Sequence, residues 1–163
     1  LLAVAKEFRD AGKKVCFAVV GDGHLRQELE AKRRALGLDD TVVFTGWVMN
    51  AAEVALPAFD VFFQPSLWEA MSIVILEAMS AGKPIVATRV GENSHILEDG
   101  VDGLLIEPKD VKGMTSALGK LIDDAALRKR MGSAAATKVN QQFTVERMTK
   151  SYEEIYETAI KGL

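Results

Sequence analysis

Residues 60 to 88, DVFFQPSLWEAMSIVILEAMSAGKPIVAT, decide how this chain folds. The stretch opens on an apolar run, DVFFQP (60 to 65), and turns through PSLWEAMS. It continues as a helix after Trp68 and ends on a second apolar run, KPIVAT (83 to 88). Short apolar runs without polar alternation read as strands covered on both faces, the pattern of parallel strands. Strand, helix and strand in that order imply a right-handed crossover within one parallel sheet.

The same alternation extends outward in both directions. KVCFAVV (14 to 20), TVVFTG (41 to 46) and DGLLIEP (102 to 108) are further strand candidates. Between them lie GHLRQELEAKRRALGL, with an apolar stripe at Leu25, Leu29 and Leu36, a short helix near 51 to 58 and a turn around NSHILED. After residue 109 the pattern is helical only, over roughly 110 to 122, 124 to 141 and 144 to 161. The expected architecture is an α/β doubly wound parallel sheet with a helical C-terminal tail, a single domain over residues 1 to 163.

The opening segment, LLAVAKEFRDAGKKV, is an amphipathic helix whose first residue already belongs to the apolar stripe. No capping residue and no strand precede it, so the chain reads as cut from something longer. In the usual winding the strand ahead of such a helix is central. The strands near 15 to 20 and 60 to 64 are therefore expected either to pair with each other or to accept a strand from elsewhere.

Composition limits the function classes. The chain is 48% hydrophobic and 26% charged, an ordinary globular balance. A formal charge of −3 gives no general attraction for nucleic acid. The single cysteine, Cys16, cannot form an internal disulfide; it is expected in the core, and a reducing compartment is the expected setting. No apolar stretch approaches the ~18 residues of a membrane span. Nothing in the spacing of acids or histidines calls for a metal or a cofactor, and the pairs Asp39-Asp40 and Asp123-Asp124 read as turns.

In open α/β sheets, ligands bind where strands end and helix N-termini begin. The candidate loops are GDGHLR (21 to 26), GWVMN (46 to 50), PSLWEAMS (65 to 72) and TRVGENS (88 to 94). The GDG turn suits a phosphate approaching backbone. A dinucleotide fingerprint would require glycine where Arg26 stands, which removes the main support for a dehydrogenase. Glu69 and Glu77 lie eight positions apart. A carboxylate buried without a partner is costly, so Glu77 on an apolar helix points to a ligand or a cap. Ser66 and Glu69 also fit a capping box, in which Glu69 merely closes a helix start.

SLWEAMSIVILEAMSAGKPIVAT, followed by VGENSHILEDGVDGLLIEP, resembles the donor-binding domain of retaining GT-B glycosyltransferases of the group 1 clan. The family pattern is Glu, seven residues, Glu, leading into Ala78, Met79, Ala81, Gly82, Lys83 and Pro84, and later Asp99, Gly100 and Gly103. GDGHLRQELE, VVFTGWV and the helical tail occur in matching order, so the resemblance covers nearly the whole chain.

The resemblance implies a Rossmann-like half of a GT-B fold. It implies that Glu69, in the loop facing the donor sugar, is the catalytic residue, while backbone N–H groups of Ala70, Met71 and Ser72 approach sugar or phosphate. Glu77 would hold the ribose hydroxyls, Trp47 and Val48 would face the nucleobase, and Gly21, Asp22 and Gly23 would line the diphosphate. The family's diphosphate-neutralising Arg and Lys would stand ahead of Leu1. His95 and Glu92 depart from the family, which more often has Glu and Gly there.

The implied function is the donor half of an enzyme moving a sugar from a nucleoside diphosphate sugar to an acceptor with retention, inactive as an isolated piece. A sugar-nucleotide epimerase of the same architecture and a noncatalytic nucleotide-binding module are the alternatives. The implied partners are the sugar nucleotide and an N-terminal half outside this chain, with no nucleic acid. The last helix, with Met148, Tyr152, Ile155, Tyr156 and Ala159 on one stripe, would cross to that half or support a homo-oligomer. The expected location is the cytoplasm, or the inner face of the membrane for the whole enzyme.

Overall fold

The computed structural model describes residues 1 to 162; Leu163 lies outside them. Among the described residues, eight helices and five strands follow the order read from the sequence, save that a short helix, α5, stands in the segment read as a turn; the order is α1 (Leu2–Asp10), β1 (Phe17–Val20), α2 (Arg26–Ala35), β2 (Val42–Gly46), α3 (Ala51–Val54), a 3-10 turn (Leu56–Ala58) and β3 (Phe62–Gln64). Then come α4 (Ile73–Ser80), β4 (Ile85–Thr88), α5 (Asn93–Ile96), β5 (Leu104–Ile106), α6 (Val111–Asp123), α7 (Ala125–Gln142) and α8 (Val145–Lys161). Every strand pairing is parallel: β1 with β2, β3 with β4, and β4 with β5.

Strand β4 shows why these runs are apolar throughout. Ile85 and Ala87 enter a core with Ile75, Met79, Ile96 and Val139, whereas Val86 enters the opposite core with Val4, Phe8, Leu118 and Leu121. All four β4 residues are buried. A strand covered on both faces has no position for a solvated side chain, so alternation disappears. A third cluster, Leu2, Ala5, Leu38 and Val42, closes the β1 and β2 end.

The tail helices are started by side-chain caps. Asp110 accepts from Gly113 N–H at 2.9 Å, Asp124 from Leu127 N–H at 2.8 Å, and Thr144 from Arg147 N–H at 3.2 Å. Helix α7 lies against α4 so closely that a Cβ on Gly132 would overlap the carbonyl oxygen of Gly82. Helix α8 buries none of its residues, and Met148, Tyr152, Ile155 and Tyr156 are exposed, with the two tyrosine rings stacked at 6.4 Å. The stripe read from the sequence thus lies on the surface.

The expected pairing of the strands near 15 to 20 and 60 to 64 does not occur. A cleft of about 890 Å³ separates β1 from β3, lined by Phe17, Val19 and Val20 on one side and Phe62, Phe63 and Gln64 on the other. Phe17 spans it on one face, meeting Phe63 edge-on at 6.3 Å and Phe8 at 5.9 Å. This cleft also corrects the reading of Cys16. The residue is exposed, because it lines the opening instead of the core. Leu25 likewise projects from the stripe of α2, leaving Leu29 and Leu36 to pack on the third cluster.

One ion pair is enclosed. Lys138 Nζ meets Asp102 Oδ2 at 2.9 Å with side chains only 18% and 3% exposed, and Asp102 Oδ1 accepts from Glu98 N–H at 2.7 Å. Lys138→Met would leave that carboxylate buried with one donor, and a loss of about 3 kcal/mol in urea unfolding is expected. The open pair of Lys6 and Asp10, 43% and 45% exposed, provides the contrast. Lys6→Met is expected to leave the midpoint nearly unchanged.

Candidate functional site

The strands form two parallel sheets, β1-β2 and β3-β4-β5; the first two candidate loops leave from the carboxyl ends of the first sheet and the last two from those of the second. The first two are joined directly. Gly21 N–H donates to Gly46 O at 2.9 Å, tying the GDG turn to the GWV loop. Gly21 has φ +125° and Gly46 φ +74°, and a Cβ on Gly46 would meet the guanidinium of Arg26 at 2.7 Å.

Asp22 organises the turn. Its carboxylate accepts from Gly23 N–H at 2.7 Å and from Arg26 Nη1 at 3.0 Å. The Gly23 amide first, and Arg26 second, hold the Asp22 carboxyl below its usual range. The turn is therefore ordered at neutral pH and loosens only as pH falls through that lowered value. Asp22 is thereby a turn-former more than a free ligand. Arg26, which the sequence reading used only to reject a dinucleotide site, supplies the cation beside the glycines. Glu30 at 2.8 Å and then Asp22 keep it charged. Arg26 is the first residue of the helix that follows the GDG loop, and no sequence motif marks it.

Trp47, 80% exposed, stands at the open end of the second loop, with Val48 half-buried behind it.

The third loop is built on β3 and β4. Thr88 Oγ1 donates to Ser66 O at 2.6 Å, and Asn93 Nδ2 donates to Thr88 O at 2.9 Å. Ser66 Oγ donates to Glu69 Oε1 at 2.7 Å, and Gln64 Nε2 reaches the same oxygen at 3.2 Å. Among the described residues Glu69 Oε2 has no partner. The capping-box alternative does not hold, because α4 begins at Ile73 with Ser72 as its N-cap. Ser66 contacts the carboxylate of Glu69 and no backbone N–H.

Ser72 is buried and accepts from Gln64 Nε2 at 2.7 Å, so its side chain makes no cap bond and the first N–H groups of α4 remain open. Ala70 and Met71 are exposed. Among the described residues the N–H groups of Ala70, Met71 and Ser72 donate to nothing. The fourth loop touches the third: Glu92 N–H donates to Ala70 O at 2.9 Å, and Gly91, with φ +50°, comes so close that a Cβ would overlap the carbonyl oxygens of Glu69 and Ala70.

Glu77 corrects the premise from which it was read. It is exposed, and among the described residues its carboxylate has no partner. Helix α4 buries Ile75, Ala78 and Met79 against the core, while Val74 and Glu77 line the cleft beside Pro65. Nothing buried needs compensating; the carboxylate faces open space.

The remaining motif residues are structural. Asp99 Oδ1 accepts from Leu105 N–H at 2.9 Å, Gly100 has φ +82°, and Gly103 packs under Leu97, so this segment is a turn on β5. His95 Nδ1 lies 2.8 Å from Glu92 Oε2 on the surface, so these two residues pair with each other. His24 is exposed.

Comparison with known proteins identifies the family and the fold. The family described as glycosyl transferases group 1 matches residues 1–124. A lipopolysaccharide core biosynthesis glycosyltransferase, LpsD of Rhizobium meliloti, is 34% identical over 142 residues; the match covers 87% of this chain and 41% of that protein. The chain thus spans well under half the length of that relative. Among solved structures, the C-terminal domain of a glycosyl transferase group 1 family protein, LpcC of Francisella tularensis, superposes with TM-score 0.76 at 26% identity over 88% of this chain and 77% of that one. Anabaena HepE in complex with UDP and glucose superposes with TM-score 0.83 at 27% identity over 95% of this chain and 42% of that one. With parallel strands, Rossmann-like layering and a helical tail like those of GT-B neighbours, the chain belongs to the glycosyl transferases group 1 family.

Proposed function

We propose that this chain is the donor-binding half of a retaining glycosyltransferase, which binds a nucleoside diphosphate sugar and acts on an acceptor held chiefly by another half of the protein. One observation carries the reading: two carboxylates from one loop-helix unit present unpaired oxygens at the carboxyl edge of the sheet. Glu69 is held by two donors with Oε2 free, and Glu77 is wholly unpaired beside the cleft. The complex of HepE with UDP and glucose is in keeping with such an occupant.

In this assignment the Glu77 carboxylate accepts both ribose hydroxyls, a pair of charge-assisted bonds. The diphosphate lies between the Gly21–Gly23 turn and the open N-terminus of α4, where N–H groups and the helix dipole favour negative charge. Arg26 is the cation this chain contributes. Trp47 and Val48 face the base. Glu69 faces the sugar with the N–H groups of Ala70, Met71 and Ser72, and these groups stabilise the charge that develops as the glycosidic bond to diphosphate breaks. No metal ion is needed for these roles. The exposed stripe of α8 is the surface through which this half meets the other half, and among the described residues no helix is long and apolar enough to cross a membrane.

The two acids separate by role in calorimetric titration of the full-length gene product with UDP, GDP and ADP. Glu77→Gln is expected to weaken the preferred free diphosphate by about 1 to 3 kcal/mol. Glu69→Gln is expected to leave that affinity nearly unchanged while lowering turnover, as for an interaction strongest in the transition state. Equal loss of diphosphate affinity in both variants would refute the assignment. Gly91→Ala, which drives the Glu69–Ala70 backbone aside, is expected to lower turnover with diphosphate affinity kept; unchanged turnover would show that the loop position is immaterial.

A further inference from the structure

We infer that Gln64 is the positioning residue for Glu69, clamping the acid loop to the start of α4; this rests on the proposed role of Glu69 at the donor sugar. Gln64 is the last residue of β3, paired in register with Ala87 of β4, so its backbone belongs to the rigid sheet. Its amide nitrogen bridges the Glu69 carboxylate at 3.2 Å and the Ser72 hydroxyl at 2.7 Å. A carboxylate can only accept, which fixes the orientation of the amide with nitrogen toward Glu69.

That orientation has a cost. The amide oxygen, Oε1, is buried with no donor among the described residues. An apolar side chain would avoid the cost, and the two preceding strand residues, Phe62 and Phe63, are apolar. The amide at position 64 therefore acts through its NH₂ group. The Ser66 hydroxyl alone would hold Glu69 Oε1 from within the same loop, whereas Gln64 holds it from the sheet. The second bond, to the N-cap of α4, fixes the acid loop against the helix that carries Glu77. Gln64 sets where Glu69 Oε2 points while its own amide is engaged by Glu69 and Ser72, so it should govern turnover and leave nucleotide affinity alone.

The test is a double-mutant cycle in the full-length gene product. Release of nucleoside diphosphate is followed with whichever of UDP-glucose, UDP-galactose, UDP-N-acetylglucosamine and GDP-mannose it turns over fastest. Gln64→Leu, which keeps volume and removes the orphan acceptor, is expected to lower kcat about tenfold, with KM and the Kd of the matching free diphosphate within about twofold. In the Glu69→Gln background the same change should lower kcat no further. Gln64→Met repeats the measurement, and melting temperatures confirm that both variants are folded.

Three results would overturn the inference: wild-type kcat in the Leu and Met variants, an equal further loss in the Glu69→Gln background, or loss of both variants to unfolding. Glu69→Gln that keeps full turnover would instead remove the role of Glu69, and the inference with it. Loss of turnover in Glu69→Gln with none in Gln64→Leu removes the inference alone.

Discussion

Thr88, the last residue of the fully buried strand β4, donates its hydroxyl to the carbonyl of Ser66 at 2.6 Å, and through that bond the core fixes the acid loop. The proposed role of Glu69 depends on it. The loop from Pro65 to Ser72 has no regular structure of its own, and a free segment of that length would present its acid in many orientations. Thr88, held in turn by Asn93, anchors the base of the loop, and the Gly91 turn presses on its middle. The layers that cover β4 on both faces supply the rigidity that these bonds transmit.

Much of this was legible in the chain. The alternation of apolar runs with helical patterns placed all five strands and the three tail helices to within a few residues, most plainly at β4, where a strand covered on both faces is apolar at nearly every position. The Glu69 and Glu77 pair was also visible. The reason first given for Glu77, burial, was wrong. Its neighbours are apolar, yet α4 buries only one side, and Val74 and Glu77 lie on the other. Helical sequence reports the stripe that packs and not whether the opposite stripe meets solvent or a cleft.

Tertiary features were less accessible. Cys16 reads as core because a strand run promises cover on both faces, and it is exposed because β1 borders an opening on the side toward β3. Ser66 and Glu69 match a capping box, but the helix they would cap starts later, at Ile73. Gln64 and Arg26 carry no motif. Their significance arises only when the fold sets an amide beside a carboxylate and a guanidinium beside a glycine turn. Contacts across loops are fixed by the path of the whole chain, which no local window contains.

The central claim is that the loops at the carboxyl ends of the two sheets hold a nucleoside diphosphate by its ribose at Glu77 and its phosphates at the glycine turn. A crystal structure of the full-length gene product, with whichever of UDP, GDP or ADP it binds most tightly, tests this directly. The account predicts both ribose hydroxyls within hydrogen-bond distance of the Glu77 carboxylate and the diphosphate between Gly21–Gly23 and the N-terminus of α4. It further predicts Glu69 Oε2 turned toward the space beyond the terminal phosphate. A nucleotide seated elsewhere, with the Glu77 carboxylate still in solvent, would contradict it.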